Sequence, residues 1–205
     1  MIEKLSVKQV VSVSAGFDGL CFQLSQEGSG VVCYEHDHPN TQLMKKRWLK
    51  SFSQKDDFPI FVSADLEKES FKEVLLKSGF DMNAPSVFVI EGLLMYLSQS
   101  AVEKLLKEIS EIASQGSVVV AGVMSGTNQD SFQHELRDKA LTKLSEQYNW
   151  TINKEELGGW LDKYSFALKE YVTYAEMQAD LRSVEEQKKL AQVEGEHYFI
   201  AEKTI

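Results

Sequence analysis

Residues 86–97 read SVFVIEGLLMYL. The first five, Ser86 to Ile90, form an almost wholly apolar run. A run this short and this apolar suits a strand buried on both faces, which is the central strand of a parallel sheet. Glu91 follows at once, then Gly92. A carboxylate that ends a buried strand must be paired or lie near water. That places Glu91 at the mouth of a cleft beyond the strand's C-terminal end, with Met95 and Tyr96 close by as lining or packing residues.

Upstream, the elements alternate. Gln9 to Val13 is a β-branched strand ending at Ser14-Ala15-Gly16, and Val31 to Glu35 is a second strand. Pro39 stands in the first turn of a helix running to about Lys50, where proline is well suited. Pro59 to Val62 is a third strand. Glu67 to Ser78 reads as a helix, with Phe71, Val74 and Leu75 at helical spacing and Gly79 as its stop. Downstream, Ser98 caps a helix that carries Val102, Leu105, Leu106 and Ile109 on one face. Ser117 to Val123 is a fifth strand. Residues 129–148 pattern as a polar amphipathic helix, Ser165 to Val172 as a strand, and His197 to Glu202 as the last strand. Repeated strand–helix alternation implies a doubly wound, mostly parallel α/β sheet with helices on both faces. The three prolines and the lack of a long Gly/Ser linker or repeat make residues 1–205 a single domain.

Composition narrows the function classes. The chain has 205 residues and a net charge of −9, so it is a poor ligand for phosphate backbones, and no nucleic-acid partner is expected. Lys45, Lys46 and Arg47 form its one basic cluster, read as a solvated helix face. No apolar run approaches the roughly 20 residues of a membrane span, and MIEKLSVKQVV lacks the pattern of a signal peptide. The expectation is a cytoplasmic protein with no membrane partner, in which Cys21 and Cys33 pack as free thiols.

In such sheets the ligand binds beyond the strands' C-terminal ends. The first strand ends in Ser14-Ala15-Gly16-Phe17-Asp18-Gly19, whose glycines admit a ligand close to the backbone. The second leads into Glu35-His36-Asp37. An acid there, about 20 residues beyond a glycine turn, is placed to accept from ribose hydroxyls. The third leads to Ser63-Ala64-Asp65-Leu66, where Asp65 either accepts from an adenine amino group or caps the helix from Glu67. His36 and His38 flank Asp37, but His134 and His197 offer no ligand cluster at suitable spacing, so no metal is expected.

These segments resemble the leucine carboxyl methyltransferase family, which includes bacterial S-adenosylmethionine-dependent O-methyltransferases of polyketide type. The matching stretches are VSVSAGFDG, YEHDHPN, SADL and, longest, GFDMNAPSVFVIEGLLMYLS. The resemblance implies a class I methyltransferase (Rossmann-like) fold, with seven strands and the last antiparallel. It implies S-adenosylmethionine as cofactor and S-adenosylhomocysteine as product. Ser14 and Gly16 would approach the methionine part, Asp37 the ribose, Asp65 and Leu66 the adenine, and Glu91 the methionine amino group. Tyr96 is the candidate for the acceptor side, and Met124 to Asn128 for acceptor specificity. No residue is singled out as catalytic, since transfer to a carboxylate needs mainly attack geometry and no general base. The acceptor is expected to be a small molecule or a peptide carboxylate, methylated on a carboxylate or hydroxyl.

Two departures from the family pattern stand out. Ser14 occupies the place of the first glycine. The chain also begins about eight residues before the first strand, where the family carries a helical segment that covers the site. A homodimer could supply that cover, because apolar surface would otherwise be exposed. The alternative is a catalytically weak or inactive scaffold that keeps the fold. A nicotinamide enzyme is a further alternative, but the turn lacks a full G-x-G-x-x-G.

Overall fold

The computed structural model describes residues 7–28, 30–52, 58–126, 148–173, 176–177 and 195–205. Along the chain these form β1 (Gln9–Val13), α1 (Leu20–Gln26), β2 (Val32–Asp37), α2 (Pro39–Phe52), β3 (Ile60–Ser63), α3 (Phe71–Lys77) and β4 (Ser86–Ile90). A 3₁₀ turn (Leu94–Tyr96) then precedes α4 (Gln99–Ile112), β5 (Val118–Met124), α5 (Lys154–Asp162), β6 (Phe166–Thr173) and β7 (Glu196–Lys203). The helix read over residues 129–148 lies almost wholly outside the described residues, and Tyr148 itself is not helical.

Among the described residues the strands make one seven-stranded sheet in the order β3-β2-β1-β4-β5-β7-β6. Strands β1 to β5 pair in parallel, and β7 runs antiparallel to both β5 and β6. The expected doubly wound sheet with an antiparallel last strand is therefore present. Winding reverses between β1 and β4, since the chain builds β2 and β3 on one side of β1 and β4 and β5 on the other. That reversal opens a crevice at the C-terminal ends of β1 and β4.

The start of the third helix needs correction. The helix read from Glu67 begins at Phe71, with Ser70 as its N-cap accepting from the Glu73 amide. Ser70 wins because residues 66–68 form a turn held by Asp65, whose Oδ1 accepts from the Glu67 amide at 3.1 Å. Asp65 therefore caps a turn and not α3. Ser98 caps α4 as expected, accepting from the Ala101 amide.

Side-chain alternation along the strands sorts the molecule into two faces. On the first, Val11, Val13, Tyr34, Val62, Phe88, Ile90, Val119 and Ala121 meet the apolar stripes of α3, α4 and α5 in one large core. The second carries a small core of Val7, Val10, Cys21, Cys33, Val87 and Val118, with Val89, Val120 and Ile200 only partly buried against it. The second face also carries the buried polar and charged side chains of Ser12, Glu35 and Asp37.

Candidate cofactor crevice

The turn after β1 is a left-handed kink. Ser14 has φ of 59° and Gly16 φ of 49°. Glycine adopts this region freely, whereas a side chain at Ser14 carries strain. This explains why the family pattern has glycine at that place. The kink is tied to the end of β2. The Ala15 amide donates to the His36 carbonyl at 2.9 Å, and the Gly16 amide donates to Asp37 Oδ2 at 2.5 Å. Asp37 Oδ1 accepts from the His38 amide at 2.6 Å. Strand β2 runs two residues past its expected end, so Asp37 closes the strand and is buried.

His36 lies beneath this turn on the apolar face. Its Nδ1 accepts from the Ser14 amide at 3.4 Å, and its ring meets Phe71 edge-on at 5.3 Å. Burial pulls its pKa down to about 4, so it is a neutral acceptor that props the turn. His38, by contrast, is exposed on the other side of Asp37. Among the described residues no group of three or more His, Cys, Asp or Glu is placed to hold a metal ion.

The basic cluster on α2 is not a uniformly solvated face. Lys45 is buried, and its Nζ lies 2.8 Å from Glu35 Oε2 and donates to the Asp18 carbonyl at 2.5 Å. The pairing follows from β2 alternation, which aims Glu35 into the polar face under α2. Burial nevertheless keeps the Glu35 carboxyl above its ordinary range, despite the lysine. Lys45 thus ties β2 to the loop that follows the turn. Lys46 is half-buried over the Phe61 ring, and Arg47 is exposed.

Cys21 and Cys33 are both free and buried on this face. A hydrogen bond between them, then burial, pushes the Cys21 thiol up, so it packs as a neutral thiol.

A crevice of about 290 Å³ opens here, lined by Ser12, Val13, Ser14, Ala15, Asp18, Val89 and Glu91. The structure thus brings Ser14 and Glu91 to one pocket, with Gly16 and Asp37 bonded to each other at its rim. Glu91 is exposed, and among the described residues no hydrogen bond or ion pair engages it. Gly92 turns the chain with φ of 61°.

Asp65 and Leu66 stand apart from the lining. Asp65 Oδ2 takes a 2.7 Å bond from the largely exposed Lys68, and the Asp65 carboxyl is held below its usual range chiefly by that contact. Leu66 packs against the large core. Tyr96 is half-buried, with its ring 5.6 Å from that of Tyr148. Met95 is buried, and its carbonyl accepts from the Asn149 amide at 2.8 Å. Trp160 packs against Trp150 and Tyr164 in the core before β6, and with Trp150 it lines a second, open pocket of about 510 Å³.

Two residues on the crevice face escaped the sequence reading: Glu196 and Tyr198 of β7. Their two-residue spacing was the available signal. Its value depended on β7 inserting next to β5, which local pattern does not reveal.

Comparison with known proteins agrees with this architecture. A Thermobifida fusca protein described as a methyltransferase superposes with a TM-score of 0.72 at 19% identity, covering 98% of this chain and 75% of that one. Human N-acetylserotonin methyltransferase superposes at 0.60 with 13% identity, covering 98% and 49%. In sequence, a Mycobacteroides abscessus protein named as an S-adenosyl-L-methionine-dependent methyltransferase is 28% identical over 179 residues, covering 76% of this chain and 59% of that protein. One from Mycobacterium sp. (strain KMS) is 30% identical over 153 residues, covering 74% and 49%. The chain thus spans about half to three-fifths of the length of these two relatives. Residues 2–110, which contain the turn, Asp37 and Glu91, match the family model for leucine carboxyl methyltransferase, and the chain belongs to that family.

Proposed function

We propose that this chain binds S-adenosylmethionine in the β1/β4 crevice and transfers its methyl group to an oxygen of a small molecule or a peptide carboxylate. The observation that carries this reading is the bond between the Gly16 amide and Asp37, because it fuses the turn and the ribose acid into one rim. Each Asp37 oxygen has a second lone pair, so the carboxylate can accept from ribose hydroxyls while holding both amides. Ser14 and Gly16 would then approach the methionine part, and Glu91 would meet its ammonium group. Asp65 and Leu66 would flank the adenine, with Asp65 exchanging a solvent-screened ion pair to Lys68 for that contact.

The cofactor is cationic at sulfur, and this face is acidic. Asp18 and Glu91 line the crevice, with Asp37 at its rim. That balance suits a sulfonium donor better than a dinucleotide pyrophosphate. A homodimer belongs to the same reading. Phe17, Leu43, Met44 and Trp48 are exposed near the turn, and Phe17 meets Trp48 edge-on at 6.0 Å. A monomer in sedimentation at micromolar concentration would count against it.

The test is calorimetric titration with S-adenosylhomocysteine, with NAD as control and Asp37→Ala as a second protein. Binding that is lost in the variant supports the reading. No heat at millimolar ligand, where binding is worth at most about 4 kcal/mol, favours the inactive scaffold instead.

A further inference from the structure

Beside the crevice, three strands present side chains on the polar face in adjacent rows. Strand β4 ends with Ile90 paired to Ala121, so Glu91 stands one step further, level with Gly122. Gly122 is itself paired with Tyr198, and Met124 with Glu196. The glycine leaves a gap between Glu91 and β7 that the β7 side chains fill. A Cβ at residue 122 would come within 3.3 Å of the Tyr198 ring and 3.8 Å of Glu196 Oε1. Glu196 and Tyr198 therefore lean across β5 toward Glu91. The Glu196 carboxyl is held above its ordinary range by burial, and Glu91 raises it further, against a hydrogen bond with Tyr198.

We propose that Glu196 is the general base of this crevice, taking the proton of an acceptor hydroxyl, and that the acceptor is therefore a neutral alcohol or phenol and not a carboxylate. This rests on the S-adenosylmethionine reading above. In that reading Glu91 is balanced by the methionine ammonium, which leaves Glu196, held by its hydrogen bond with Tyr198, as the carboxylate beside Glu91 that can still accept from a hydroxyl. A hydroxyl donates a hydrogen bond to it, whereas an anionic carboxylate acceptor is repelled. In the reaction the acceptor oxygen attacks the methyl carbon as the carbon–sulfur bond breaks. The bonding pair goes to sulfur, and the hydroxyl proton passes to Glu196. The products are an ether, neutral S-adenosylhomocysteine and a protonated Glu196. A carboxyl that titrates nearer to neutral than usual suits this work.

Two shape-matched probes separate the acceptor classes. The full chain is given labelled S-adenosylmethionine with 4-methylphenol or with 4-methylbenzoate. The phenol should be methylated in preference to the benzoate. Glu196→Gln should slow that transfer by about 10²–10⁴-fold, the usual contribution of a general base, and leave S-adenosylhomocysteine affinity unchanged. Glu196→Asp should recover part of the rate. Independently of turnover, the ¹³C carboxyl signal of Glu196, assigned by its loss in Glu196→Gln, should titrate above the ordinary glutamate range and move down in Glu91→Gln. Preference for the benzoate overturns the proposal. So does undiminished transfer by Glu196→Gln, an ordinary and unmoved Glu196 titration, or no transfer to the phenol by a protein that binds S-adenosylhomocysteine. Failure of the wild-type chain to bind S-adenosylhomocysteine is a different result: it removes the cofactor reading, and this inference with it.

Discussion

Strand β4 shows the two faces of the sheet one residue apart. Phe88 is fully buried between β1 and β5 and packs into the large core with α3 and α4. Val89 points the other way, is only partly buried, and lines the crevice. The same contrast repeats along β2, where Tyr34 and His36 face the large core while Cys33, Glu35 and Asp37 face the polar side. One face is built for stability by packing. The other trades packing for charged and polar groups, each of which needs a partner or a ligand.

This contrast breaks if truncation costs the same on both faces. Phe88→Ala should destabilise by about 3–5 kcal/mol, as for a buried aromatic, whereas Val89→Ala should cost about 1 kcal/mol or less. Urea denaturation of the two variants measures the ratio, and equal losses would mean that the polar face is packed as tightly as the other.

The polar face has one element that should behave like core. Lys45→Met leaves Glu35 buried without its cation, and a broken buried pair costs about 3–5 kcal/mol. Adding Glu35→Leu should restore most of that loss, because the apolar pair no longer carries an uncompensated charge. A double variant as unstable as Lys45→Met alone would show that Lys45 acts mainly through its bond to the Asp18 carbonyl.

His36 sharpens the comparison through pH. Its pKa falls from 6.5 to about 4 on folding, so between those values the unfolded chain binds the proton that the folded chain refuses. Its contribution is therefore complete above pH 6.5 and shrinks as pH falls toward 4, by about 3 kcal/mol in all. The stability of wild type minus that of His36→Gln, followed across this window, should show the loss. A flat difference would mean that the ring is reached by water.

The smallest effect is at the turn. Ser14→Gly removes a side chain from a left-handed residue and should stabilise the fold by about 1 kcal/mol, read as a raised urea midpoint. It should not weaken S-adenosylhomocysteine binding. Weaker binding would show that the Ser14 hydroxyl has become a cofactor ligand where the family pattern has glycine.

Much of this molecule was legible in its residue order, for reasons that are local. Strand–helix alternation, the Ser98 cap and the apolar run before Glu91 depend on near neighbours, and near neighbours are what a sequence displays. That Ser14, Gly16, Asp37 and Glu91 lie at one edge was legible too, because in a parallel sheet every strand delivers its C-terminal residue to the same edge. The reading failed where a longer-range partner decided. Of the two readings open for Asp65, the helix cap gave way because the turn it closes delays α3 to Phe71. Lys45 looked solvated because its partner Glu35 lies ten residues away, on a strand whose alternation turns it beneath α2. Glu196 and Tyr198 were invisible as site residues because their place depends on β7 running antiparallel between β5 and β6. The sequence by itself determined the elements and the order of residues at the crevice edge, since both follow from local periodicity. Only the tertiary structure decided which charges are buried together and which carboxylates share a face, because those depend on strand register between segments distant in the chain.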